Sequence, residues 1–427
     1  MVQSCARCHD LPPFRTRCAI GSTFTAGPEA PVGLDDPGAL TTAGLLRGAH
    51  VLPLAMFFGT FAWSFVYVSL PFHIQRISPW DAATTLRWTG WILGVSPLAT
   101  VATAPLWGRL AGRGDPRTYY VLVQFLQGAG FFAMAAARTL PELFFTRLVL
   151  GVMGAASTFA FISAGRAGEP AEVRRQIAAM QSAMTVGAVI GPLSGAIAAA
   201  RLGFAESFVL GGLVLFGCGI LVQRGVPDMP APPERPAAHR ARHWRETAIV
   251  SLIVLGGSTQ LFFLTAILPQ VMTDLGVATE RTLEVGGMII FASGVAAALG
   301  SLAAPRLAEL LPERRLIGGL LVGSSVAAGA LALAPGVWSY GALRFVQVLC
   351  IAPVFPIVVA RIAQSVGGEA IGVINAARIG ASFVGPVLAT SLLAAGSPLL
   401  LYAVLALIGL ACLPLSGLRA HVPAVPR

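Results

Sequence analysis

Long apolar stretches alternate with short polar connections along most of the chain. Six such stretches lie between residues 51 and 222, and six more lie between residues 248 and 418. Each is close to the roughly 20 residues that an α-helix needs to cross the hydrocarbon core of a bilayer. The pattern predicts an all-α membrane protein with twelve transmembrane helices in two pseudo-symmetric six-helix bundles.

The polar connections divide the chain into five parts. Residues 1–49 are expected to be a disordered cytoplasmic extension, and residues 420–427 a short tail. Residues 50–223 and 247–419 are predicted to form the N-terminal and C-terminal bundles. Between them, residues 224–246 contain five prolines and five arginines. This composition favours an extended cytoplasmic linker, and contact with anionic lipid is a second interpretation of it.

The composition supports the membrane assignment. Hydrophobic residues make up 56% of the chain and charged residues 11%, whereas average soluble proteins contain about 25% charged residues. So few charges cannot cover the surface of a soluble particle of 427 residues. The composition therefore excludes a soluble globular protein and a disordered chain.

The arginines predict the orientation of the chain in the membrane. The net charge of +10 comes from 29 arginines without any lysine. Connections on the side of both termini carry 21 arginines and the opposite side carries five, while Arg147, Arg344 and Arg378 fall within apolar stretches. Because cytoplasmic loops are enriched in basic residues, both termini are predicted to lie in the cytoplasm, and the protein in the cytoplasmic membrane. The spread of the arginines argues against a nucleic-acid partner.

The two halves of the chain repeat each other at a nearly constant offset. Arg109-Leu110-Ala111 recurs 197 positions later, Arg147 recurs as Arg344 at the same offset, and Gly191-Pro192 recurs after 194 positions as Gly385-Pro386. Parallel repeats of this kind occur in transporters whose substrate site lies near the membrane midplane, between the halves. The repeat therefore predicts transport by alternating access.

Three motifs link the chain to a known family. They are the glycine-rich run Gly187–Gly195 in the fifth stretch, Arg147-x-x-x-Gly151 in the fourth, and the loop that starts at Gly108-Arg109 and includes Arg113. Together they resemble the major facilitator superfamily, and within it the drug/proton antiporter branch, over about residues 50–420. The resemblance implies a multidrug-type exporter with a small-molecule substrate and a proton as the coupling ion. Gly112 stands where the family has an acidic residue in the cytoplasmic loop.

The glycine-rich run predicts a close helix contact. Gly187, Gly191 and Gly195 lie on one helix face, where another helix can approach closely. Pro192 removes one backbone hydrogen bond and bends the helix. Since Gly385 and Pro386 repeat this pattern in the eleventh stretch, we expect both faces to contact the opposite half and to slide against it. Ordinary tight packing without a role in gating is the alternative interpretation.

Polar residues within the apolar stretches are the candidates for substrate binding. They are Thr60, Trp63, Ser64, Tyr67, Arg147, Gln260, Arg344, Gln347, Asn375 and Arg378. Helix–helix hydrogen bonds, or arginines that reach the membrane surface, are the alternative interpretation. An arginine inside a membrane is costly unless it faces a cavity or a partner. No acidic residue lies clearly inside any stretch, so uptake or exchange of an organic anion is the alternative to drug export.

One N-terminal motif points to a different class of protein. Cys5-Ala6-Arg7-Cys8-His9 fits the pattern of c-type haem attachment. The predicted cytoplasmic location disfavours haem attachment, so a membrane redox or sensor protein is the third interpretation. The sequence contains no phosphate-binding loop, catalytic triad or cluster with metal-ligand spacing. It therefore predicts no enzymatic activity, no cofactor and no bound metal.

Overall fold

The computed structural model describes residues 37–166, 170–227, 244–363 and 368–417. One compact unit begins at Thr42 and contains both halves of the repeat. Most of the N-terminal extension, most of the linker and the C-terminal tail lie outside the described residues. The Cys5–His9 motif lies outside them as well, so the expectations for these segments stay predictions.

Every regular element among the described residues is a helix. The α-helices are Pro37–Ile77, Ala82–Arg113, Pro116–Ala136, Leu140–Val152, Ala156–Arg166, Pro170–Leu202, Phe204–Gly225, Trp244–Phe262, Leu264–Asp274, Thr282–Leu310, Glu313–Ala330, Val337–Ile351, Val354–Ala363, Gly368–Ala394, Pro398–Ala411 and Leu413–Gly417. Two short 3-10 helices, Thr279–Arg281 and Leu331–Leu333, extend neighbouring α-helices.

These helices form twelve spans that are long and apolar enough to cross a membrane, which confirms the predicted fold class. Spans 1 to 12 are His50–Ile77, Ala82–Ala111, Pro116–Ala136, Leu140–Gly165, Arg175–Leu202, Phe204–Gly225, Trp244–Asp274, Thr279–Leu310, Glu313–Leu333, Val337–Val359, Gly372–Ala394 and Pro398–Leu415. We call the side where span 1 begins the terminal side and the side where it ends the distal side.

Local sequence signals explain where several spans begin. The Asp81 carboxylate accepts hydrogen bonds from the amides of Ala83 and Thr84 at the start of span 2, and hydrogen bonding to Thr84 holds the pKa of that carboxyl below its usual value. Thr139 forms a capping box at the start of span 4. Gly203 has a φ of 111°, a backbone conformation that glycine tolerates, and it makes the sharp turn between spans 5 and 6.

Among the described residues, the hydrophobic core joins the two halves on the distal side and not on the terminal side. One core cluster there combines Val68 and Ala199 of the first half with Ile267, Leu283 and Ala389 of the second. On the terminal side, each half has a cluster of its own. One surrounds residues of spans 1 to 6 such as Tyr120, and the other surrounds residues of spans 7 to 12 such as Ile317. The halves are therefore held together near one membrane surface.

Close contact between the halves depends on small residues at pseudo-symmetric positions. Gly90 of span 2 packs on Thr390 of span 11, and Gly287 of span 8 packs on Ala196 of span 5. A Cβ atom on either glycine would overlap its partner. A larger side chain at Gly90 or Gly287 would therefore separate the distal ends of the bundles.

The same faces move apart towards the terminal side. Gly294 of span 8 still approaches Val189 of span 5, since a Cβ on the glycine would lie 3.3 Å from the valine Cα. Two helical turns further along, on the same faces, Ser301 and Ser182 are both exposed. The space between the halves therefore opens towards the terminal side.

The glycine face of span 5 contacts span 1 of the same half, so the expectation that it meets the opposite half was wrong. A Cβ on Gly191 would lie 2.7 Å from the Ser64 Cβ, and one on Gly195 would overlap the Phe65 carbonyl oxygen. In the second half, Gly385 packs on the backbone of Phe263 in span 7 in the same way. Glycines let these backbones approach closely within each bundle, and a different face of span 5 meets the other half.

Candidate functional site

A cavity of about 350 Å³ lies between the two halves. Spans 1 to 5 provide most of its wall, and Phe262, Ile379 and Ser382 complete it from the second half. Four of the predicted substrate residues line it, namely Thr60, Trp63, Tyr67 and Arg147. The wall is mostly apolar with a few polar groups, which is typical of sites for small organic molecules.

Arg147 places a positive charge in the wall of this cavity. Its side chain is 2% exposed, and its Cζ lies 5.3 Å from the ring centre of Trp63 and 5.9 Å from that of Tyr67. Its Nε donates a hydrogen bond to the Ile92 carbonyl oxygen at 3.4 Å. Among the described residues, no carboxylate forms an ion pair with it. The aromatic faces compensate part of the cost of burying the guanidinium, and the charge remains available to an anionic group.

Two glutamines of span 3 supply further polar groups that the sequence pattern did not single out. The Trp63 indole donates to Gln127 Oε1 at 3.1 Å, and Gln127 Nε2 donates to the Met153 carbonyl oxygen at 2.5 Å. Gln124 Nε2 donates to the Tyr120 hydroxyl at 2.9 Å, whereas its buried Oε1 has no partner. Their spacing of three residues on one face of an apolar helix was a signal that could have identified them.

Arg344, the repeat counterpart of Arg147, lies in a closed network inside the second half. Span 7 is interrupted at Phe263, between the helices Trp244–Phe262 and Leu264–Asp274. The Arg344 guanidinium donates to the carbonyl oxygens of Gln260 at 2.8 Å and Leu261 at 2.6 Å. In a continuous helix those carbonyls would bond to amides four residues later, across the interruption. Arg344 therefore caps the break in span 7.

The other predicted residues of span 7 and span 10 belong to the same network. Arg344 also donates to Gln347 Oε1. The Ser324 hydroxyl donates to Gln260 Oε1 at 2.5 Å, and Gln260 Nε2 donates to the Leu405 carbonyl oxygen at 2.7 Å. The structure thus brings Gln260, Arg344 and Gln347 together, but none of them lines the cavity.

The remaining predicted residues lie elsewhere on the spans. Ser64 faces Gly191 within the first half, and Asn375 is exposed on span 11. Arg378, also exposed, lines a second and smaller pocket in the second half.

The loop motif lies at the terminal end of span 2. Arg109 is exposed, a Cβ on Gly108 would meet no other atom within 4 Å, and Arg113 is the last residue of its helix. The Asp115 carboxylate caps the next helix, because it accepts hydrogen bonds from the amides of Arg117 and Thr118.

Comparison with known proteins gives this architecture a family. The family model of the Major Facilitator Superfamily matches residues 52–286. The chain belongs to the major facilitator superfamily. It is therefore a multi-pass membrane protein of a transporter family, as the sequence motifs indicated.

Relatives and solved structures agree with that assignment. YuxJ of Bacillus subtilis strain 168, an uncharacterized MFS-type transporter, is 26% identical over 355 residues, which cover 78% of this chain and 88% of YuxJ. The multidrug resistance protein MdtG of Serratia proteamaculans strain 568 is 26% identical over 315 residues, which cover 70% of this chain and 74% of MdtG. The crystal structure of the human organic anion transporter MFSD10 (TETRAN) has the same fold, with a TM-score of 0.64 and 15% identity over 87% of this chain and 99% of that one.

Proposed function

We propose that this chain is a secondary active transporter that exports small amphipathic organic compounds across the cytoplasmic membrane by alternating access. The cavity carries the proposal, because it lies between two halves that are joined on the distal side and separated on the terminal side. MdtG, whose name describes multidrug resistance, supports the direction of transport. With both termini in the cytoplasm, the cavity would load from the cytoplasm.

The contacts between the halves suit a rocking motion. Gly90 meets Thr390 and Gly287 meets Ala196 across the distal contact, and Gly94 meets the Phe383 ring, so glycines give the opposite helix a flat surface to rotate on. Each half keeps its own hydrophobic cluster on the terminal side, and can move as a unit without exposing it. Rocking would close the terminal side and open the distal side around a substrate held at the midplane.

The chemistry of the wall indicates which compounds the cavity accepts. Trp63 and Tyr67 offer aromatic surface to an apolar or planar group, and Gln124 adds a polar side chain to the wall. Arg147 attracts a negative charge and repels a permanent cation. Among the described residues, none of those that line the cavity is acidic. We infer that coupling to a proton, which the family resemblance implies, does not use a carboxylate in the cavity wall.

Uptake or exchange of an organic anion is the second candidate function. The observation that favours it is the Arg147 guanidinium, which faces the cavity without a carboxylate partner among the described residues. Export and uptake differ in the direction of net movement, and one accumulation assay with matched compounds separates them.

Cells that express the protein are expected to accumulate less of an anionic or neutral amphipathic dye than cells with an empty vector. Arg147→Gln keeps a hydrogen-bonding amide but removes the charge. It should therefore reduce transport of the anionic dye about tenfold and change that of a neutral analogue by less than about twofold. Arg147→Lys is the matched control that keeps the charge.

The direction and selectivity of this assay decide between the candidates. If expressing cells accumulate more of the anionic dye than cells with an empty vector, export is contradicted and uptake is supported. Strong export of a permanent cation that is unchanged in Arg147→Gln would contradict the proposed preference for anions and neutral compounds. Equal accumulation of every dye with and without the protein would contradict both candidates.

A further inference from the structure

The second half contains a counterpart of the cavity. This pocket of about 90 Å³ is lined by residues of spans 7, 8, 10 and 11. Its Ser258 lies 198 positions after Thr60 of the cavity, and its Arg378 lies 194 positions after Met184 of the cavity. The second offset is the one that relates the Gly-Pro pairs of spans 5 and 11. The fold thus repeats the cavity at a smaller size, with an arginine in the place of a methionine.

Arg378 brings a positive charge to this pocket, and none of the described residues that line the pocket is acidic. Its Cζ lies 4.8 Å from the ring centre of Phe355. Among the described residues, no acidic group forms an ion pair with it. An arginine within a span needs an anionic partner, a water-filled space or the membrane surface. Its side chain is exposed, so the donors of the guanidinium are accessible to a ligand.

The position of Arg378 connects this pocket to the path into the cavity. Ser382, which lines the cavity, is four residues further along span 11 and therefore on the same helix face. Span 11 runs from the terminal side to the distal side, so Arg378 lies about one helical turn closer to the terminal opening. A molecule that enters from the terminal side would pass Arg378 before it reaches Ser382.

Two hydroxyl groups complete the pocket. Ser258, which is 8% exposed, and the exposed Ser301 both line it. A guanidinium together with hydroxyl donors is a combination that binds carboxylate and phosphate groups. The pocket volume suits such a group, while an attached apolar body would extend into the larger cavity.

We propose that Arg378, Ser258 and Ser301 form an entry subsite for the anionic group of an amphipathic molecule, ahead of the main cavity. That the molecule is a transport substrate rests on the proposed function. The anionic group of a lipid has the same chemistry and is the other source of a ligand. In both cases Arg378 binds the anion first, and Arg147 lies further along the path.

The test compares two fluorescent probes that differ in one charged group. Purified protein in phosphatidylcholine nanodiscs is titrated with dansylglycine, which carries a carboxylate, and with neutral dansylamide. Arg378→Gln is expected to weaken dansylglycine binding about tenfold and to change dansylamide binding by less than about twofold. Arg378→Lys should retain most of the affinity. Arg315→Gln removes an exposed arginine from the same side of the membrane, outside the pocket, and should have no effect.

Several outcomes would overturn the subsite. They are unchanged dansylglycine binding in Arg378→Gln, an equal loss for both probes, or an equal loss in Arg315→Gln. If Arg378→Gln does not yield folded protein, Arg378→Met introduces the residue found at the pseudo-symmetric position and must show the same selective loss.

Two further comparisons identify the occupant and separate the two proposals. Phosphatidylglycerol in the nanodiscs should weaken dansylglycine binding in the wild type and not in Arg378→Gln, if a lipid headgroup competes for the subsite. Without such competition, the subsite serves soluble anions. If Arg378 is needed for selective dansylglycine binding but the protein transports no dye, the proposed transport function is contradicted and the subsite is not. If the protein exports dye but dansylglycine binding does not depend on Arg378, the subsite is contradicted and the proposed transport function is not.

Discussion

Replacing Arg344 with glutamine is expected to lower the free energy of unfolding by about 2–4 kcal/mol. The guanidinium holds the carbonyls of Gln260 and Leu261 at the break in span 7. Both carbonyls lie within the membrane-spanning region, where Gln260 is fully buried and Leu261 is partly buried. Lipid offers no hydrogen-bond partner to a carbonyl, so a hydrogen bond lost inside the membrane costs more than one lost at a protein surface. The shorter glutamine cannot reach both oxygens. Thermal unfolding of the purified protein in detergent measures this loss.

The repeat supplies a matched control for this substitution. Arg147→Gln changes the equivalent residue of the first half, where span 1 is a continuous helix and a single carbonyl accepts a bond at 3.4 Å. We expect Arg147→Gln to lower the free energy of unfolding less than Arg344→Gln does. We expect it to change anion transport more than Arg344→Gln does. A variant at Arg344 with normal stability and altered selectivity for anions would show that this residue belongs to the substrate path.

Replacing Gly195 with leucine is expected to prevent the first bundle from folding. A Cβ atom at this position would overlap the Phe65 carbonyl oxygen of span 1. Overpacking of an adaptable core costs about 1–3 kcal/mol, but here the obstacle is backbone that cannot rotate away. Spans 1 and 5 would have to separate along their contact, so the cost should exceed that range. The yield of monodisperse protein after membrane extraction measures the effect.

Gly217→Leu is the control for that experiment. Gly217 lies in span 6, and a Cβ there would meet no other atom within 4 Å. The same substitution should therefore leave the yield close to that of the wild type. A normal yield of Gly195→Leu, or an equal loss for Gly217→Leu, would contradict the close contact between spans 1 and 5.

The sequence predicted the parts of this structure that depend on the membrane itself. Twelve apolar stretches became twelve spans because no other arrangement hides so much apolar surface and satisfies the backbone in lipid. Thr60, Trp63, Tyr67 and Arg147 reached one cavity because polar groups within a span must find a cavity or a partner.

Which helices contact each other, and which polar groups they bring together, could not be predicted in the same way. Arg147 and Arg344 are equivalent in the repeat, yet one faces a cavity and the other caps a helix break. The break lies at Phe263, which carries no glycine or proline signal, so the sequence did not show two carbonyls in need of donors. The glycine face of span 5 likewise indicated a close contact without indicating which helix would fill it.

The accessibility of Ser382 tests the central claim, a cavity between the halves that opens towards the cytoplasm, most directly. In a variant without reactive native cysteines, Ser382→Cys is exposed to a membrane-impermeant thiol reagent in intact cells and in inside-out vesicles. Asp115→Cys and Trp338→Cys serve as the references for the cytoplasmic and external sides. We predict that Ser382→Cys reacts mainly in inside-out vesicles, together with Asp115→Cys. Faster reaction in intact cells, together with Trp338→Cys, or no reaction from either side, would contradict it.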